Sequence, residues 1–255
     1  MLKAIILAAG VGNRLGKDGR EQPKCLLKFN SKSLLERHLE CLRHCQVGEV
    51  TIVVGYQAAK IQAKIEAIGA QDWVNTIYNP DYRQGSIISL WVSREHLAAD
   101  DDVLLMDADV LYDYRLLEQL VNTNVPNCFL LDRDFEPGEE PVKLCVKNGQ
   151  LLEFRKQVSP NLTYDFCGES VGFFRFSSAI ATRLATRTEY YVTQELKEEP
   201  YEDAIRDLLL DTPEEFGYED ITGLPWLEID FPEDVERAKQ EILPQLLADE
   251  GFGEL

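Results

Sequence analysis

An apolar strand near the start of the chain runs directly into a loop of small residues. Residues 4–16 read AIILAAGVGNRLG, and residues 23–27 read PKCLL. A first strand followed by a glycine-rich turn is typical of an α/β sheet, and such a turn exposes backbone N–H groups that hold phosphates. The cations Arg14 and Lys24 accompany the turn. This stretch therefore predicts an α/β fold with a nucleoside triphosphate site after its first strand.

The spacing within this loop excludes two common phosphate-binding patterns. The dinucleotide fingerprint GxGxxG needs a third glycine where Leu15 stands, and the string GxxxxGK[ST] occurs nowhere in the chain. What remains is LAAGxGxRL followed by PKxLL. An ordinary strand–helix turn with Arg14 and Lys24 as surface cations is the alternative, but the full pattern favours phosphate binding.

This pair of segments resembles the sugar-nucleotidyltransferase superfamily. The resemblance implies a Rossmann-like, three-layer nucleotidyltransferase fold with a mixed, mostly parallel central sheet. It also implies that a nucleotide binds along the first loop, at Leu7, Ala8, Ala9, Gly10 and Gly12 together with Arg14 and Lys24.

Strand and helix patterns alternate along the first half of the chain. Strands are predicted at 4–7, 49–55, 74–79 and 102–106, and helices from a Ser33–Glu36 capping box, over 61–68 and over 86–97. This alternation is typical of a parallel sheet whose ligands lie at the carboxyl ends of the strands. We therefore add Gly55, Asn79, the segment 84–86 with Gly85 and Ser86, and Asp107 to the candidate nucleotide-binding residues.

The second half of the chain has shorter strands. They are predicted at 127–132, 142–147, 151–154, 168–176 and 226–229, with an Asn148-Gly149 hairpin turn and helices over 201–210 and from about Pro232. The acidic segment 135–141 is interpreted as a solvated loop, although a lid is the alternative, and 249–255 as a frayed tail. With no linker in view, we expect one domain over 1–255, with a nucleotide-binding half (about 1–125) and an acceptor-binding half (about 126–255).

Composition limits the partners of the chain. A net charge of −19 argues against nucleic acid and anionic membranes as partners. No apolar run approaches the ~20 residues of a membrane span, and no secretion signal is evident. The six cysteines lack metal-type spacing, so we expect reduced thiols and a cytoplasmic location. A homodimer is left open.

Transfer of a nucleotidyl group brings two anions together, so it needs cations and a divalent metal more than a covalent nucleophile. Asp107 and Asp109 follow the predicted strand 102–106, and Asp230 follows the strand 226–229. In the resembling family, the second Asp of DxD and a late Asp hold Mg²⁺, which implies Asp109 and Asp230 here. Asp230 could instead form a helix-capping pair with Glu233, and Asp109 could simply begin a turn.

Four further segments narrow the resemblance: Asp107-Ala108-Asp109, residues 85–91, Tyr201-Glu202-Asp203 and residues 226–234. Together they resemble the phosphocholine cytidylyltransferase group, whose relatives use other small phosphates or phosphonates such as 2-aminoethylphosphonate. This resemblance implies CTP and Mg²⁺, Arg14, Lys24 and Lys156 as catalytic cations, and acceptor contacts at Lys156, Glu169, Tyr201, Glu202 and Asp203. Arg155 is the alternative to Lys156. A sugar-1-phosphate uridylyl- or thymidylyltransferase and a non-catalytic nucleotide sensor on the same fold are the competing hypotheses.

Overall fold

A central β-sheet organises the part of the chain that the computed structural model describes, namely residues 1–16, 21–136, 138 and 140–249, with side chains up to residue 246. The strands are β1 (Leu2–Ala8), β2 (Lys28–Phe29), β3 (Lys32–Ser33), β4 (Glu49–Val54), β5 (Val74–Tyr78), β6 (Asp102–Asp107), β7 (Val110–Tyr112), β8 (Cys128–Asp132), β9 (Lys143–Lys147), β10 (Gln150–Arg155), β11 (Phe166–Phe176), β12 (Gly217–Asp220) and β13 (Trp226–Glu228). Nine of these form one sheet, along the path β10-β9-β11-β6-β1-β4-β5, with β8 beside β11 and β12 beside β8.

Pairing in this sheet is mixed. β1 pairs in parallel with β4 and β6, and β4 pairs in parallel with β5. β11 runs antiparallel to β6, β8 and β9, which joins the strands of the second half to those of the first. Because β1, β4 and β6 end at the same edge, the loops that follow them meet there. The expected α/β fold class is confirmed.

Helices cover both faces of the sheet. They are α1 (Leu34–His44), α2 (Ala58–Ala67), α3 (Ser86–Val92), α4 (Arg94–Leu97), α5 (Tyr114–Asn122), α6 (Ser178–Thr193), α7 (Tyr201–Asp211), α8 (Pro232–Arg237) and α9 (Leu243–Asp249), the last two joined by a π-helical turn at Ala238–Ile242. One core cluster packs α1, α2 and α5 on one face, and a second packs α3, α6 and α7 on the other. The sheet and its two helix layers form three layers, and the helices bury the apolar runs of the central strands on both sides.

The helices and strands predicted from long periodic patterns are present in the structure. The differences between prediction and structure occur where the sequence pattern is weak. The single helix predicted over 86–97 is two helices, α3 and α4, with a break at Ser93. Helix α6 was not predicted, because small residues such as Ala181 and Ala185 form much of its buried face. Helix α5 and strands β7 and β12 were also missed. The tail predicted at 249–255 lies outside the described residues, apart from Asp249.

Among the described residues, no helix combines the length and the apolar character needed to cross a membrane.

The start of α1 is fixed by the capping box that the sequence predicts. The Glu36 amide donates to Ser33 Oγ at 3.2 Å, and the Ser33 amide donates to Glu36 Oε2 at 2.7 Å. These two bonds satisfy backbone donors that the first helical turn would otherwise leave without partners.

We therefore expect Ser33→Ala to lower the free energy of unfolding by about 1 kcal/mol, because buried Ser33 caps the helix. Ser31→Ala is the matched control, since Ser31 is an exposed serine two residues earlier, and its change should stay within about 0.5 kcal/mol. Urea denaturation followed by circular dichroism measures both values. Equal losses in the two variants would contradict the role given to the cap.

Candidate active site

A cleft of about 480 Å³ opens at the carboxyl ends of β1 and β6. Its lining comprises Leu7, Ala8, Ala9, Gly10, Gly12, Asn13, Arg14, Lys24, Cys25, Tyr82, Gln84, Ser86, Ser89, Asp107, Ala108, Asp109, Lys156, Tyr201, Glu202, Glu228 and Asp230. Most residues that the sequence predicts for the nucleotide, the metal and the acceptor therefore share one cavity. The first loop forms one wall, and the carboxylates form another.

The loop after β1 is held from behind by the turn after β4. The Tyr56 amide donates to the carbonyl of Ala9 at 3.0 Å. A Cβ atom at Gly55 would lie 2.9 Å from that same carbonyl and 2.5 Å from Tyr82 Cβ. The lack of a side chain at Gly55 therefore lets the loop and Tyr82 come close. Gly55 itself is not among the residues that line the cleft, where the sequence had placed it.

Lys24 lies between two carboxylates from distant parts of the chain. Its Nζ donates to Asp109 Oδ2 at 2.8 Å and also to Asp230 Oδ1. Burial alone would lower the pKa of Lys24, but Asp109 and Asp230 outweigh it and raise that pKa. The lysine is therefore a fixed cation at the floor of the cleft.

Pairing of β13 with β7 brings the two aspartates together. Glu228 lies opposite Val110 in this antiparallel pair, and the Ile229 amide donates to the carbonyl of Asp109 at 2.9 Å. Asp230, the next residue, is thereby placed beside Asp109. Asp109 and Asp230 are far apart in the sequence, and they meet because the short strands β7 and β13 pair.

Glu228 is a third carboxylate at this point, and it was not among the predicted site residues. Oxygens of Asp109, Glu228 and Asp230 lie within 4.8 Å of one another. Mg²⁺ binds carboxylate oxygens and completes its octahedron with phosphate oxygens and water, so this donor set fits a Mg²⁺ ion that also holds a triphosphate. Glu228 and Asp230 are two residues apart on an extended segment, which is the sequence signal that could have identified Glu228.

The protein atoms around Glu228 and the charges of Asp109 and Asp230 raise the pKa of Glu228. Its side chain nevertheless remains open to the solvent of the cleft.

The alternative capping role predicted for Asp230 is wrong. Asp234 Oδ2 accepts hydrogen bonds from the amides of Asp230 and Phe231, at 3.0 and 2.7 Å. Asp234 therefore accepts from the backbone amides before α8, and an Asp230–Glu233 pair does not. The Asp230 carboxylate is left to contact Lys24 and Arg14.

Arg14 and Lys156 meet at a carboxylate of the acidic segment 135–141. Arg14 bonds Asp230 Oδ2 at 2.5 Å through one guanidinium nitrogen and Glu140 Oε2 at 2.7 Å through the other. Lys156 Nζ lies 3.1 Å from the same Glu140 oxygen. Glu140 is exposed, as expected for a solvated loop, and it also joins the charge network of the site, while Pro137 and Glu139 lie outside the described residues.

Asp107 has a different environment from Asp109. Tyr201 Oη donates to Asp107 Oδ2 at 2.7 Å. Burial and the charges of Asp109 and Glu202 raise the pKa of Asp107 well above its usual value. Asp107 therefore connects the end of β6 to the start of α7, and it also lines the cleft.

Of the residues predicted to contact the acceptor, only some lie in the cleft. Tyr201 and Glu202 line the cavity, whereas Asp203 and Glu169 do not. Glu202 Oε2 is buried and has no hydrogen-bond partner among the described residues, and burial raises the pKa of Glu202 to about 7. Glu169 instead lies between Asp132 and Lys143 of the adjacent strands.

Asn79 and Gly85 also lie outside the cavity lining, in contrast to the prediction. Asn79 is buried, and its amide group donates to Ser89 Oγ at 3.1 Å. A Cβ atom at Gly85 would lie 2.4 Å from backbone atoms of Glu198 and Glu199, so Gly85 is a packing point. Ser86 does line the cleft, and its Oγ accepts from the Tyr201 amide at 2.9 Å, which ties α3 to α7.

The cleft also contains residues that the sequence analysis did not name. Besides Glu228 they are Asn13, Cys25, Tyr82, Ser89 and Ala108. Each lies within a few residues of a predicted site residue, so proximity in the chain was the available signal.

Comparison with known proteins shows which family the chain belongs to. Residues 4–153 match the MobA-like NTP transferase domain. The chain is 22% identical over 254 residues to the CTP:phosphoglutamine cytidylyltransferase of Campylobacter jejuni, covering 92% of this chain and 98% of that protein. It is 26% identical over 249 residues to the CMP-5'-(3-aminopropyl)phosphonate synthase of Streptomyces rubellomurinus, covering 95% of this chain but 39% of that protein.

Among solved structures, the CTP:phosphocholine cytidylyltransferase of Streptococcus pneumoniae has a TM-score of 0.72 at 21% identity, over 94% of this chain and 98% of that one. The match in fold extends across both halves of the chain. The chain belongs to the MobA-like NTP transferase domain family, and it is a nucleotidyltransferase.

Gly172 provides a test of how Asp107 is positioned. Its φ is +80°, and a Cβ atom there would lie 2.3 Å from Asp107 Oδ2. Gly149 has a similar φ of +76° but open space around it, so Gly149→Ala isolates the backbone cost of about 1 kcal/mol. We expect Gly172→Ala to lower the free energy of unfolding by a further 1–3 kcal/mol or so, because Asp107 must move.

Urea denaturation of both variants measures this difference. Equal losses for Gly172→Ala and Gly149→Ala would contradict a close contact between Gly172 and Asp107.

Proposed function

We propose that the protein is a Mg²⁺-dependent cytidylyltransferase that transfers CMP from CTP to a small phosphorylated or phosphonate acceptor and releases pyrophosphate. The observation that carries this proposal is the position of Lys24 between Asp109 and Asp230, with Glu228 beside them, at the end of the first loop. The first loop and this charge arrangement lie in one cleft, in a protein of the nucleotidyltransferase class.

The cations of the cleft match the electrostatic problem of the reaction. An acceptor phosphate has its second pKa near ~6 and is largely dianionic at neutral pH, so both substrates are anions. In a chain of net charge −19, local cations must attract them. We assign Arg14 and Lys24 to the triphosphate and Lys156 to the acceptor phosphate, which places positive charge where negative charge develops.

Asp109, Asp230 and Glu228 would hold Mg²⁺. When bound, this ion neutralises phosphate charge and aligns the triphosphate. Lys24 supplies a positive charge between Asp109 and Asp230 and so keeps these two carboxylates at a fixed separation before substrate binds. Arg14, which already bonds Asp230, would turn its other guanidinium nitrogens from Glu140 to phosphate.

Gln84 supports the assignment of CTP. This residue lines the cleft, and its Oε1 is buried without a hydrogen-bond partner among the described residues. An amide oxygen accepts hydrogen bonds, and cytosine carries an exocyclic amino group that donates them. The named activities of the relatives above also favour a cytidine nucleotide.

Glu202 supports an acceptor that carries a primary ammonium or a hydroxyl group. Its buried Oε2 lacks a donor, and both of those groups donate hydrogen bonds. A trimethylammonium group has no N–H to donate and is bound instead by several aromatic faces. In the described lining the aromatic side chains are Tyr82 and Tyr201, and Tyr201 already bonds Asp107. We therefore favour 2-aminoethylphosphonate-like acceptors over phosphocholine.

The activity is tested by incubating the protein with each of the four ribonucleoside triphosphates and dTTP, Mg²⁺ and a panel of acceptors, and measuring pyrophosphate. We expect release with CTP and an aminoalkyl phosphate or phosphonate, and loss of release with a chelator. Asp109→Asn should reduce turnover at least about 100-fold, while Asp72→Asn, at an exposed turn, should not change it.

Two outcomes would overturn the proposal. No pyrophosphate with any pair would remove the enzymatic activity, and release only with UTP or dTTP and a sugar 1-phosphate would make the protein a sugar nucleotidyltransferase. Full activity of Asp109→Asn would exclude Asp109 from the metal site.

Glu202 and Asp203 are adjacent carboxylates, and only the first of them lines the cleft, so they form a matched pair. We expect Glu202→Gln to raise the KM for an amino acceptor roughly 10-fold or more, because the negative charge that strengthens a hydrogen bond from the ammonium group is removed. Its KM for CTP should not change. Asp203→Asn should leave both values unchanged.

Steady-state kinetics at saturating CTP measures these constants. An unchanged acceptor KM for Glu202→Gln, or phosphocholine as good an acceptor as 2-aminoethylphosphonate, would contradict the donor requirement.

A further inference from the structure

Two cysteines face each other across neighbouring strands, away from the cleft. Cys145 of β9 and Cys167 of β11 are directly opposite in the antiparallel register, and their Sγ atoms lie 3.3 Å apart. Both are free thiols. The established class of the protein gives this pair no task, since neither residue lines the cleft.

The register places the pair at a position suited to a cross-strand bond. The Ser170 amide donates to the carbonyl of Val142 at 2.8 Å, one step beyond the Glu169–Lys143 pair. Hydrogen-bonded and non-hydrogen-bonded pairs alternate along antiparallel strands, so Cys167 and Cys145, three steps further, form a non-hydrogen-bonded pair. Such pairs have Cα atoms about 4.5 Å apart, inside the range of roughly 4.4–6.8 Å that a disulfide spans.

The two thiols differ in access and in charge environment. Cys145 is fully buried, whereas Cys167 is half-buried and so reaches solvent. The hydrogen bond with Cys145 and the nearby Lys143 ammonium lower the pKa of Cys167, while that same bond and burial raise the pKa of Cys145. Since a thiolate is the attacking species, Cys167 reacts first and Cys145 second.

We propose that Cys145 and Cys167 form a thiol–disulfide modification site, which a low-molecular-weight disulfide oxidises. The Cys167 thiolate attacks one sulfur of that disulfide and releases its other half as a thiol. The Cys145 sulfur then attacks Cys167 Sγ, forms the Cys145–Cys167 bond and releases the second thiol. The protein loses two electrons and two protons, and the oxidant becomes two thiols.

The experiment uses the whole protein, incubated with oxidised glutathione, quenched in acid, unfolded and alkylated. We expect two of the six cysteines to escape alkylation, and dithiothreitol to restore them. Trypsin separates the pair, so peptide 144–147 should be joined to peptide 157–175, two hydrogen atoms lighter than their sum. Cys45→Ser, a half-buried thiol at the end of α1, should leave this link intact.

Cys167→Ser should keep all five remaining thiols free of intramolecular links. Alkylation of both Cys145 and Cys167 in the oxidised wild-type protein would overturn the proposal. So would a mixed disulfide that stays on Cys167, because Cys145 would then be unable to reach it. This test measures no transfer activity, so its result is independent of the proposed function.

Discussion

The ammonium group of Lys24 joins three parts of the chain that are far apart in sequence. It contacts Asp109, at the end of β6, and Asp230, beyond β13, while Lys24 itself follows the first loop. Without a cation between them, two carboxylates of a chain with net charge −19 would repel each other at this point. Removing one member of such a buried group leaves the others without compensation, so the cleft depends on this contact.

The acidic side chains of this cleft have different surroundings. Asp109, Glu228 and Asp230 converge, which suits a divalent ion. Asp107 accepts a hydrogen bond from Tyr201 and serves to hold α7 against the sheet. Glu202 keeps one oxygen without a donor, which leaves capacity for a ligand group. Neighbouring carboxylates of the cleft thus have three different environments, and the hydrogen bonds that each one accepts distinguish them.

Much of the fold, and the presence of the first loop and the DxD segment in one cleft, could be predicted because their signals are local. The first loop, the Ser33–Glu36 box and the DxD segment are each contained within a few residues. Glu228 was missed because its role follows from the pairing of β13 with β7, which no single segment reveals. Asp203 was misplaced because a residue one step along a helix points about 100° away, which residue type cannot show.

The pairing of the sheet explains why two different parts of the chain line the cleft. Parallel strands β1, β4 and β6 end at one edge, where the first loop and the cations Arg14 and Lys24 line the cleft. The antiparallel strand β11 and helix α7 add side chains from the second half, including Glu202, beside that edge. A substitution on α7 therefore changes a different part of the cleft wall from the loop after β1. Since the loop after β1 is held by Gly55 and Tyr56, and Glu202 is carried by α7, these two parts of the cleft wall have separate supports.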